Sequence, residues 1–211
     1  MWLGIAVGVF ALSAAGLEFW LNADRKLKRR MAKFPKAERI ADAPRGKDVR
    51  ISGTLAYVDG SAPIIAPFSK RPCVAWRIVV ERSENKKWNE IYQSSASIDF
   101  RVDDDSARAR VDSVFLTLVL DADAKAQKHI IGRTTPGFVE FCGSVGIDTW
   151  GQSLRMREGV LEEGEVVSVC GRCRLERDLN AKVGYRGQNT IFRVGPLQCG
   201  ETLVSDDPDL V

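Results

Sequence analysis

Histidine is nearly absent: His129 is the only one in 211 residues, beside five cysteines. That scarcity excludes most catalytic and metal-binding constellations. A structural zinc site takes four ligands, usually as two C-x-x-C pairs or with histidines, and only one such pair is present, Cys170 and Cys173 in "VVSVCGRCRLERD". There is no G-x-S-x-G, no Walker A sequence and no dinucleotide fingerprint. Asn-x-Ser/Thr sites are also missing, and the cysteines have no framework-like spacing, which together fit a reducing compartment. Internal repeats and low-complexity tracts are absent as well.

Long apolar runs are equally scarce, with one exception. "WLGIAVGVFALSAAGLEFWL", Trp2 to Leu21, carries a single charge, Glu18. As a helix of twenty residues it spans about 30 Å, the hydrocarbon thickness of a bilayer. Trp2 and Trp20 fall at its ends, where amphipathic rings prefer to lie. No Lys or Arg precedes the run, which separates it from a cleaved signal peptide. The run therefore predicts a transmembrane anchor, residues 1–21, holding the protein in the lipid bilayer.

Charge is distributed unevenly. Residues 22–50 hold 11 Lys/Arg against 4 Asp/Glu, whereas the chain beyond them is net negative. Basic character confined to one short segment argues against a nucleic-acid partner. Arg25, Lys26, Lys28, Arg29 and Arg30 follow the apolar run immediately, with Lys33 and Lys36 close behind. The positive-inside rule then places the start of the chain outside and everything after residue 24 in the cytoplasm, as a single-pass membrane protein. The same residues are candidates for binding anionic lipid headgroups.

Leu27, Met31 and Phe34 recur at helical spacing, so a helix is expected until Pro35, then a linker to residue 47. From residue 48 to 204 the pattern is of strands. "VRISGTLAYV", "CVAWRIVVER", "SIDFRV", "RARVDS" and "VFLTLVL" are β-branched and partly alternating, and "DDDS" at 103–106 reads as a turn. Thr135 is a candidate N-cap for one short helix, "PGFVEFCGS". "KVGYRGQNT" reads as a hairpin loop, "IFRV" as a last strand and 205–211 as an acidic tail. The expected fold is mainly β, a barrel- or sandwich-like meander with one short helix, plus the N-terminal transmembrane helix.

In a strand, residues three apart face opposite ways. Cys170 and Cys173 would then diverge and form neither a metal nor a redox pair. Cys73 with His129 is a weaker thiol candidate, resting only on their scarcity. No catalytic residue, metal ligand or cofactor site is assigned. The stretch "APFSKRPCVAW", residues 66–76, is the most distinctive: two prolines stiffen a loop presenting Lys70 and Arg71, candidates for contact with an acidic protein or headgroup.

That stretch carries a resemblance. "SGTL…APFSKRPCVAWRIVVER…W…IDFRVDDDSARARVD" resembles the beside-a-membrane domain of the GIDE family, and "REGVLEEGEVVSVCGRCR" resembles its closing strand, over roughly residues 48–178. The family's eukaryotic members are membrane-anchored E3 ubiquitin ligases that end in a RING finger, and bacterial-type members often lack the RING. A RING binds two zinc ions through eight Cys/His ligands, and 5 Cys with 1 His cannot supply them. The resemblance thus implies a RING-less member in a bacterial inner membrane, binding a protein or lipid partner at the membrane surface. The alternative it implies is an E3 ubiquitin transferase-like protein acting with a separate RING or conjugation partner.

Overall fold

The computed structural model describes residues 24–129, 134–177 and 190–211. The expected anchor, residues 1–21, and most of the Gly-rich hairpin loop lie outside them. Among the described residues no helix is long and apolar enough to cross a membrane.

A helix, α1, occupies residues 24–31. Strands follow as β1 (Asp48–Tyr57), β2 (Ile64–Ile65), β3 (Pro72–Cys73), β4 (Ala75–Glu84), β5 (Lys87–Ser97), β6 (Phe100–Asp103) and β7 (Arg108–Val111). Then come β8 (Leu116–Val119), β9 (Ala124–Lys128), helix α2 (Phe138–Ser144), β10 (Leu154–Leu161), β11 (Val166–Arg177), β12 (Thr190–Gly195) and β13 (Thr202–Ser205).

Five strands close on themselves. β1 pairs with β6, β6 with β7, β7 with β12, β12 with β11, and β11 again with β1. Counted along the chain, the ring runs first, second, third, fifth, fourth, and its third and fifth strands are parallel. That connectivity is the Greek key of an OB-type barrel. The fold is mainly β as expected, but it is not a meander. β13 and β8 extend the barrel sheet beyond β11.

A second, four-stranded antiparallel sheet, β5-β4-β10-β9, is inserted in two pieces, one between β1 and β6 and the other between β7 and β11. α2 covers one of its faces, where Ile78, Val80, Phe138, Phe141, Leu154 and Met156 form a separate core. Thr135 does not cap α2. Its hydroxyl accepts the Gln127 amide at 3.0 Å, and the N-cap is Gly137 in a left-handed conformation. The short hydroxyl arm is used to tie the loop to β9 instead.

Alternation explains the barrel wall. Val49, Ile51 and Leu55 of β1 and Val167, Val169 and Cys173 of β11 all point into one core. Polar-looking segments at both ends of the chain also contribute to packing. Ile40 and Ala43, inside the expected linker, are buried in the barrel core, and the Ile40 amide is held by Asp104 at 2.7 Å. Leu210, inside the expected tail, is buried with Leu203 and Met31. Composition hides both because one apolar side chain among many polar ones decides each contact.

Close strand crossings need glycine. A Cβ on Gly171 would collide with the Val194 side chain and lie 2.6 Å from the Gly195 carbonyl oxygen, so β12 could not approach β11. Gly171→Ala should cost about 2–3 kcal/mol through overpacking, a fall in Tm of roughly 4–12 °C for a chain of this size. Gly195→Ala, whose Cβ would meet only Asp112 at 3.6 Å, should melt close to the wild type. Equal Tm values for the two variants would refute the crossing argument.

Candidate interaction surface

The 66–71 loop is organised by a charge that reasoning from sequence passed over. Leu154, Met156 and Glu158 alternate onto the α2 side of β10, and Glu158 is fully buried. Its two carboxylate oxygens accept the Phe68 and Ser69 amides, each at 2.8 Å. A buried carboxylate must be hydrogen-bonded to be tolerated, and charge-assisted bonds of this type are the strong ones. The Phe68 ring then meets Phe141 edge-on, with centroids 6.1 Å apart. The Ala66 amide donates to the Arg71 carbonyl at 2.9 Å and closes the turn, with Lys70 at a positive φ of 60°.

This geometry separates the two predicted loop residues. The Arg71 guanidinium forks onto Glu162, with Nε 2.9 Å from Oε1, and lies 3.8 Å from Asp123. Its charge is used within the fold. Lys70 is exposed, and its ammonium donates to the Pro67 carbonyl at 2.7 Å. Of the pair, only Lys70 offers a charge to a partner.

The basic residues of α1 divide in the same way. Lys28 is paired with Asp207 at 2.6 Å and Asp121 at 3.2 Å. Burial opposes its charge, yet the bonds to the two aspartates outweigh burial and lift its pKa. Arg30 is paired with Glu201. Asp24 of the same helix meets Arg77 of β4 at 3.1 Å, and burial holds its carboxyl above the ordinary value despite that pairing. Leu27, Met31 and Phe34 pack together against Val119, Cys170 and Leu203. Arg25, Lys26 and Arg29 face away from these contacts and are exposed, as are Lys33 and Lys36.

The acidic segment 121–123 connects the two regions. Asp121 receives Lys28 from α1, and Asp123 lies beside Arg71 of the loop. Asp123 also accepts the Val160 amide at 2.7 Å. The Asp121 amide is held by Asp206, whose carboxyl burial pushes up to about 6. Sequence reasoning found the cations and missed every one of these acids. The signal for Glu158 was available: it is the one charge on the apolar-alternating positions of "LRMREGVL".

Cys170 and Cys173 both lie in β11 and diverge, the first into the α1 contact and the second into the barrel core. Burial pushes their thiols up to about 12 and about 11, and those of Cys73 and Cys142 to about 11. None of these four is a thiolate near neutral pH, the form that attacks or ligates. His129 is exposed at the end of β9, whereas Cys73 is buried with Ala66 and Val160. Among the described residues no group of three His, Cys, Asp or Glu side chains is placed to hold a metal. Searched against family models, curated proteins and solved structures, the chain matches none.

Glu158→Gln would retain one acceptor and press an amide N–H₂ against a backbone donor. It should cost about 2–3 kcal/mol, the penalty of buried groups left unpaired, and should speed exchange of the Phe68 and Ser69 amides more than those of β11. Unchanged stability and unchanged loop exchange would show that the carboxylate does not hold the loop.

Proposed function

We propose that this chain is a membrane-anchored interaction module of the GIDE type, which binds a protein or lipid partner at the cytoplasmic membrane face through its surface rather than through a catalytic centre. The observation that supports this reading is the two-sided character of α1. Its inner side is joined to the domain by Asp24, Lys28, Arg30 and Met31, and its outer side presents Arg25, Lys26 and Arg29. The apolar run Trp2–Leu21 lies two residues before Asp24 in the sequence. A domain fixed to such a helix would be held in one orientation against the bilayer instead of trailing on a flexible tether.

Each exposed cation near an anionic surface contributes on the order of 1 kcal/mol, reduced by salt. Those cations also fix the orientation of the anchor. Lys70 is the separate candidate contact, on a loop whose shape Glu158 sets independently of any partner. The E3-like alternative gains no supporting observation from the surface.

Alkaline carbonate should fail to extract the full chain from membranes, and a reporter fused after Val211 should behave as cytoplasmic. Extraction by carbonate, or a reporter active only on the far side, would contradict the anchor and its orientation respectively.

A further inference from the structure

Phe115 combines two unfavourable features. It is 69 % exposed, and its neighbour Val114 is 59 % exposed, so neither side chain contributes its apolar surface to a core. Its φ is also +61°, a left-handed conformation in which a bulky side chain is a genuine outlier. A turn needing only that conformation is served better by glycine or asparagine. Strain retained at an exposed apolar residue points to a contact made outside the fold.

The turn is held firmly in this shape. Ser113 donates its amide and its hydroxyl to Asp99 at 2.9 and 2.8 Å, and the Phe115 carbonyl accepts the Thr202 amide at 3.0 Å. Glu201, next to Thr202, takes both Arg30 of α1 and the Thr117 hydroxyl. The apolar tip is thus linked through Thr202 and Glu201 to Arg30 on the flank of α1. Lys26 lies one turn before Arg30, and Lys33, in the turn that follows the helix, donates its amide to the Arg30 carbonyl at 3.1 Å; both lysines are exposed. The acids around the tip are neutralised: Asp99 by Arg110 at 2.7 Å, Asp112 by Arg193 at 2.9 Å, and Glu201 by Arg30. An apolar pair beside uncompensated lysines is complementary to an anionic lipid surface.

We propose that the 113–115 turn is a second membrane contact, placing Val114 and Phe115 in the interfacial layer while Lys26, Arg29 and Lys33 meet lipid phosphates. This rests on the anchored-module reading, because the anchor supplies the proximity.

The test uses the full chain reconstituted in vesicles of neutral phospholipid, with and without anionic phospholipid. Cys199→Ala removes the exposed thiol, and Val114→Cys then carries a nitroxide. On mixed vesicles the label should be shielded from a water-soluble relaxer and reached by oxygen, and shielding should weaken without anionic lipid. Adding Phe115→Gly should return the label to water without lowering Tm, since glycine relieves the strained backbone; a purely structural Phe115 would lower it. A carbonate-resistant chain whose label remains fully aqueous overturns this inference alone. A chain lost from the vesicles on carbonate overturns the anchor reading and this inference with it. A label aqueous on vesicles but immobilised in native membranes indicates a protein contact and overturns the lipid assignment.

Discussion

β11 bonds along both of its edges, and the architecture depends on that. One edge takes β1 from Asp48 to Thr54; the other takes β13 at Ser168–Cys170 and β12 from Arg172 onward. Without the first pairing the barrel opens, and without the second the sheet that receives α1 is not attached. A strand flanked on both sides must be apolar on its inward face, tolerate a close crossing and contain no proline. "VVSVCGRCRLER" meets those requirements, with Gly171 at the crossing and a cysteine on either face. The C-x-x-C spacing is thus a by-product of a strand packed on both sides. Cysteine serves here as a small hydrophobe.

From β11 the consequences pass to α1. Cys170 faces Met31, Leu203 and Leu210, so the outer face of the closing strand is the floor on which the helix lies. Burying Met31 contributes about 2 kcal/mol on its own. The ion pairs to Asp121, Asp207 and Arg77 add orientation more than energy, since pairs near the surface are weak individually. They also join α1 to both sheets at once: Arg77 belongs to the second sheet, and Asp121 follows β8 of the barrel sheet. A helix held at both places has little freedom relative to either sheet.

Much of the fold was legible because alternation is local. β1, β6, β7 and β11 stand where apolar residues recur at every second position, as Phe100 and Val102 or Ala109 and Val111 do. What decides barrel against sandwich is the pairing of Asp48 with Arg172 and of Phe192 with Ala109, contacts between distant segments that leave no local mark. The candidate surface was legible only on its basic side. The lysines and arginines of α1 are evident in the sequence, but whether each is free depends on acids such as Asp207, far along the chain. Arg71 illustrates the result: a cation presented by a stiff loop is paired by Glu162 across the fold. The positive φ at Phe115 left no sequence signal, because the residue there is one that ordinarily avoids it.

The central claim is that α1 belongs to the folded domain and is not a detached stalk. Native-state hydrogen exchange of the full chain across a denaturant series tests it most directly. The account predicts that the amides of residues 28–31 open with the same free energy and denaturant dependence as those of β11, because Met31 and Cys170 are buried against each other. Exchange of those α1 amides through a separate, low-energy opening that is insensitive to denaturant, while β11 stays protected, would contradict it.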